Sequence, residues 1–196
     1  PNVFQIYDYA DFLKNNEMFE ESVKYFTEIL DSIEKNHSLF AKTSDSRGIA
    51  FERLSMWESA EKDLLNSLSV KPNDAYVINY LAYTWIEKGI NIEKSLDMLR
   101  KANKLQKNDG YIIDSLGWAL FKLKKYKESE KQLELAVRIM PSDPVVNDHF
   151  GDVLWMNNKF LQARYYWNYV VNLEDAEIDL KKNVKKKLVF GINLDP

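Results

Sequence analysis

The sequence predicts an all-α protein, a solenoid of about five helix-turn-helix repeats followed by one capping helix. Three observations predict it. Small residues recur at a near-constant interval, and a second set of small and bulky residues keeps the same interval. Six glycines and five prolines in 196 residues leave little material for the turns of a many-stranded protein.

The first marker is Ala10, Gly48, Ala82, Gly117 and Gly151, with steps of 38, 34, 35 and 34. Around it stand YLAYTW (80–85), SLGWAL (115–120) and HFGDVL (149–154), with SRGIAF (46–51) and DYADFL (8–13) as weaker copies. The second marker is Ser22, Ala60, Ser95, Ser129 and Ala163, with steps of 38, 35, 34 and 34. Four residues after each sits a bulky apolar side chain: Phe26, Leu64, Leu99, Leu133 and Trp167. An interval near 34 is that of a helix-turn-helix unit. The two markers slip by one residue between Ala82 and Ser95, where KGIN (88–91) makes a longer turn.

Gly117 lies in the middle of a helical pattern, where glycine costs about 1 kcal/mol against alanine. A compensating contact is required. Two helices of one repeat cross closely, and a small residue on each lets the backbones approach. Gly117 is therefore expected to face Ser129 or Ala136.

These residues resemble the tetratricopeptide repeat family. The repeat at 110–143 carries Ile113, Leu116, Gly117, Leu120, Ser129, Leu133, Ala136 and Pro141 at the family's signature places. That at 75–109 carries Ile78, Leu81, Ala82, Trp85, Ser95, Leu99 and Ala102. The repeat at 41–74 has Gly48, Phe51, Ala60, Leu64, Ser67 and Pro72, and that at 144–174 has Phe150, Gly151, Leu154, Ala163, Trp167 and Val170. The first, about 3–40, has Ile6, Tyr9, Ala10, Leu13, Ser22 and Phe26. Its extra residues near DSIEKNHS (31–38) read as a longer second helix. NYLAYTW, DSLGWA and DHFGD are also similar to C-terminal repeats of large bacterial multi-repeat proteins. The resemblance implies a single right-handed α–α superhelix over 1–196, whose first helices line a concave groove.

Departures mark particular places. Ser44 and Arg47 stand where apolar residues belong in the second repeat, as does Asn147 in the fifth. Either those helices pack loosely or Arg47 is buried beside a carboxylate. After the fifth repeat, Leu180, Val184 and Leu188 form one helical stripe. Lys181, Lys182, Lys185, Lys186 and Lys187 occupy the rest. Residues 175–190 thus read as a capping helix, apolar inside and solvated outside. The chain begins at Pro1 with apolar residues and no signal segment, which reads as a fragment of a longer protein. Its compartment, bacterial periplasm or cytoplasm, is unknown because any targeting segment is absent.

Several function classes are excluded or disfavoured. There is no cysteine, so thiolate catalysis and thiolate metal sites are impossible. No phosphate loop, nucleophile elbow or H-E-x-x-H motif occurs, and His37 and His149 lie in different repeats. No catalytic residue, cofactor or resident metal is expected. Asp148 and Asp152, one turn apart, read as a solvated acidic face. A net charge of −3 with interleaved signs gives no nucleic-acid stripe. No apolar run approaches a membrane span.

The expected site is the groove wall. It carries Asn79, Tyr80, Tyr83, Tyr111, Asp114, Trp118, Phe121, Asp148, Asp152 and Trp155, with Asp45 and His149 alongside. Tyr83, Trp118, Phe121 and Trp155 form an aromatic track, either exposed in the groove, where it suits a binding hot spot, or packed between neighbouring helices. Asp45, Asn79, Asp114 and Asp148 form a second, mostly acidic track that would favour a basic-aromatic peptide segment. The sequence reading is a non-enzymatic protein-interaction scaffold. The alternative is an assembly module using the solenoid's ends or convex face. Oligomeric state is not set by the sequence.

Overall fold

The computed structural model describes residues 2–192 and holds helices and turns only within them. The helices are α1 (Val3–Asn15), α2 (Phe19–Ser32), α3 (Phe40–Arg53), α4 (Trp57–Val70), α5 (Ala75–Glu87), α6 (Ile92–Leu105), α7 (Gly110–Lys122), α8 (Tyr126–Ile139), α9 (Pro144–Met156), α10 (Phe160–Asn172) and α11 (Ile178–Phe190). Each odd helix up to α9 and its successor form one predicted repeat. The chain divides within α5 into an N-terminal body, Pro1–Leu81, and a C-terminal body, Ala82–Pro196.

The small residues allow the paired helices to nest. A Cβ on Gly117 would lie 2.6 Å from Leu133 Cγ, and one on Gly151 would lie 2.5 Å from Trp167 Cδ1 and Nε1. On Gly48 it would meet Leu64 Cγ at 3.1 Å and the Ala60 carbonyl at 3.2 Å. Each bulky second-helix side chain therefore fills the space its glycine vacates. The approach is close enough for Ser129 Oγ to donate to the Gly117 carbonyl at 2.7 Å. Leu64, Leu133 and Trp167 are fully buried as a result.

The turn inside each repeat has one construction. Glu17, Ser55, Gly89, Lys124 and Asn158 adopt left-handed backbone, with φ between 59° and 69°. The next residue donates its N–H to the carbonyl five places back: Met18 to Leu13, Met56 to Phe51, Ile90 to Trp85, Lys125 to Leu120 and Lys159 to Leu154. This 6→1 bond ends a helix in the Schellman manner and satisfies an orphan carbonyl. Residues 88–91 make the longer turn expected between α5 and α6, with Asn91 as a further left-handed residue. Between repeats, Asp109 accepts from Ile112 N at 3.1 Å and Asp143 from Val145 N at 2.9 Å, so each caps the following helix.

Two expectations are corrected or resolved. The extra residues of the first repeat do not lengthen α2, which spans 14 residues like α4, α6 and α8. Ile33 turns extended, and 33–39 form the connection, pinned by Leu39 N donating to His37 Nδ1 at 3.2 Å. Arg47 is the buried-pair alternative: its Nε and Nη2 donate to Asp63 at 2.6 and 2.9 Å, and Nη1 to Thr27 Oγ1 at 3.0 Å. The same seam place holds an edge-on Tyr9–Tyr25 pair at 5.0 Å in the first repeat and Phe150–Tyr166 at 4.7 Å in the fifth. Asn147 is satisfied locally, donating to the Pro141 and Asp143 carbonyls at 3.0 and 2.7 Å.

Two outcomes follow from these contacts. Gly117→Val should destabilise the protein by about 2–3 kcal/mol through overpacking against Leu133, read as a lower Tm, while Leu161→Val on the exposed face of α10 leaves Tm unchanged. Lys124→Gly should stabilise by about 0.5–1 kcal/mol, because the left-handed strain removed exceeds the entropy glycine adds; an unchanged or lower denaturation midpoint would count against the strain.

Candidate functional site

The wall residues of the C-terminal body are carried on α5, α7 and α9, and most of them are packed against one another. Trp118 is stacked between Phe121, centroids 4.7 Å apart, and His149, 3.9 Å away. The ring planes are inclined by only 9° and 11°. Its indole Nε1 donates to Glu87 Oε1 at 2.6 Å, and Lys122 Nζ lies 4.8 Å from its ring. His149 Nδ1 donates to both oxygens of Asp114, at 3.1 and 3.0 Å. Of the two readings of the aromatic track, Trp118 and Phe121 take the packed one and do not face an open groove: they are 8 % and 6 % exposed, because each covers the other and His149 covers the far side. Tyr83 and Trp155 are half-buried, while Tyr111 is 62 % exposed.

The acidic track is paired from within. Lys187, on α11, donates to both oxygens of Asp148 at 2.8 Å and to those of Asp152 at 2.8 and 2.7 Å. Trp167 Nε1 adds a bond to Asp152 at 3.0 Å. Two expectations change here. Asp148 and Asp152 are not a solvated face but buried, and Lys187 is not on the outer, solvated face of the capping helix. A row of five lysines conceals the one that points inward: position 187, three places after Val184, flanks the apolar stripe, but Lys181, three places before Val184, flanks its other edge, so spacing does not choose between them. Sequence reading also missed Asp63 and the His149–Trp118 stack.

These surroundings set the charge states. Burial pushes the Asp152 carboxyl up to about 6, Asp148 adds to the rise and Lys187 opposes it. Burial lowers His149, but the charge and hydrogen bond of Asp114, together with the charges of Asp148 and Asp152, outweigh it and leave the imidazole above its ordinary value. Burial lowers Lys187 as well, and the two carboxylates overcome it.

In the N-terminal body, Tyr80 Oη donates to Glu52 Oε2 at 2.9 Å. Asn79 Oδ1 is buried with no hydrogen-bond partner among the described residues. Asp45 is half-buried, and its carboxyl is raised to about 6 by burial, then Asp74 and Asp11, against Lys14. No group of three or more His, Cys, Asp or Glu that could hold a metal occurs among the described residues. No helix there is long and apolar enough to cross a membrane.

The fold matches known proteins. A fragment of MamA from Desulfovibrio magneticus superposes with a TM-score of 0.74 at 16 % identity, covering 91 % of this chain and 98 % of that one. PilF of Pseudomonas aeruginosa gives 0.71 at 15 % identity, covering 99 % and 96 %. YrrB, described as a TPR protein with an unusual peptide-binding site, gives 0.68 at 14 % identity, covering 94 % and 92 %. The fold is the tetratricopeptide-repeat (TPR) solenoid. In sequence, a TPR repeat-containing protein of Pseudomonas aeruginosa is 28 % identical over 143 residues, 73 % of this chain. The chain spans 23 % of that relative's length. No protein-family model matches the chain.

Asp45 gives a pH prediction. Its folded pKa lies above the unfolded value, so the folded state binds more protons between about pH 4 and 6 and Asp45 withdraws stability as pH rises through that window. Asp45→Asn should therefore raise stability at pH 7 by about 1–2 kcal/mol and leave it unchanged near pH 3. Urea midpoints at the two pH values measure it; an equal effect at both would remove titration as the cause.

Proposed function

We propose that the chain is a non-enzymatic scaffold for protein–protein interaction, holding a segment of a partner protein against the first-helix faces of its repeats. One observation carries the reading. Phe121, Trp118 and His149 form a continuous ring stack fixed from behind by Asp114, and Tyr111 stands 62 % exposed on the same helix as Trp118. A wall locked before binding loses little side-chain freedom on association. Tyrosine supplies apolar area with a polar handle.

Within the C-terminal body, Tyr111 and the half-buried Tyr83 and Trp155 make the contact. Trp118, Phe121, Asp114, Asp148 and Asp152 hold its shape. Asn79 and Tyr80 offer a contact of their own on the N-terminal body. With Asp114, Asp148 and Asp152 already paired, the preferred segment is aromatic or aliphatic, with basic residues directed to exposed acids such as Glu87. The peptide-binding site named for YrrB supports a peptide as the ligand class. Concave solenoid surfaces are the ones such repeats commonly use.

A second reading has its own support. On α10, Leu161 is 87 % and Tyr165 68 % exposed, with Phe160 and Tyr169 beside them, an apolar surface suited to assembly. Photo-crosslinkers at positions 111 and 161 separate the two. Crosslinks from 111 to a partner, with Tyr111→Ala weakening binding about tenfold, are expected. Crosslinks from 161 alone, between copies of the chain and with concentration-dependent mass in sedimentation, would replace the groove with assembly.

A further inference from the structure

The last helix is held unlike any other. α11 buries only Val184, whereas α8 buries Ser129, Leu133 and Ala136, and α10 buries Ala163, Trp167 and Val170. Leu180 and Leu188 are half-covered, while Ile178, Val189 and Phe190 are 72 %, 68 % and 75 % exposed. The apolar attachment is therefore thin. The rest is polar: Lys187 to Asp148 and Asp152, and Arg164 Nη1 to the Leu188 carbonyl at 2.6 Å. Gly191, with φ +71°, then brings the chain against the Trp155 ring with no room for a Cβ.

The place Lys187 fills is a cation site. Four carboxylate oxygens within 2.8 Å surround one ammonium. Asp148 and Asp152 sit on α9 at the same face as the wall residue Trp155, three places beyond Asp152. Two carboxylates against one ammonium leave the site acidic. A guanidinium, with a planar fork matched to carboxylates, would satisfy it better than the ammonium does.

We propose that α11 is a displaceable internal ligand: Lys187 holds the Asp148–Asp152 site closed until a partner's amphipathic helix, presenting an arginine or lysine beside an apolar stripe, takes its place. The displaced segment uncovers Trp155 as it leaves. This rests on the scaffold reading only for the existence of a partner; the docking and release of α11 are measurable without one.

The test uses the full chain and a synthetic peptide copying residues 176–192. In Lys187→Met, amides of that segment should exchange about tenfold faster than in the wild type, with α7 to α10 unchanged. Lys187→Arg should keep the protection. The peptide should bind the Lys187→Met chain about tenfold more tightly than the wild type, whose site is occupied, and a peptide with Met in place of Lys187 should bind neither. Unchanged exchange overturns the latch. So does loss of protection that spreads through α9 and α10, which would make α11 part of the core, or equal binding of the two peptides. Failure of Tyr111→Ala to weaken partner binding would remove the wall reading and leave these results as they stand.

Discussion

Everything described here depends on how closely two helices of one repeat can approach. A single methyl on Gly117 would overlap Leu133, and one on Gly151 would overlap Trp167. Remove that proximity and the second helix moves outward, carrying with it the support for the first. The ring stack on Trp118 and the carboxylates of α9 hold their positions only because the helices beneath them are nested. Propensity alone would have chosen alanine at these places; packing overrides it.

A second regularity connects successive first helices. In the first, fourth and fifth repeats the side chain at the fifth place reaches the next such helix: Tyr7 to Ser46 at 3.0 Å, Asp114 to His149, and Asp148 to Lys187. α11 thus behaves as the first helix of a further repeat. These cross-links between neighbours explain why the wall is closed. Asp114 and Asp148, inward-facing by position, already have partners one helix along. Solenoid stability is a sum of repeat and neighbour terms, and here the neighbour term includes ions.

The fold was legible because it rests on periodic constraints. Gly48, Gly117 and Gly151 announce themselves by interval, and so do Leu64, Leu133 and Trp167. The wall was legible only as a set of positions. Which member is open depends on the size of residues a repeat away: Trp118 is covered because His149 is flat and falls opposite it, whereas Tyr111, on the same helix, stays exposed. Lys187 was hidden for a different reason. Five lysines in one short helix look alike, and only the three-dimensional course of α11 selects the one that meets the acids. Arg47 was visible as an anomaly, but its partner Asp63 sits among ordinary surface charges in the sequence.

The seam place shared by Tyr9–Tyr25, Arg47–Asp63 and Phe150–Tyr166 carries a final implication. Three helix pairs are keyed at the same place by unlike teeth, two of them aromatic and one ionic. Matching a first helix with another repeat's second helix would set Arg47 against a phenol ring, or strand Asp63 in a dry joint without its counter-charge. Repeat arrays are prone to such cross-matching during folding, and a bare buried charge costs several kcal/mol. The ionic tooth, a poor core residue by composition, therefore selects α4 as the mate of α3, while the third nitrogen of Arg47 also reaches Thr27 on α2.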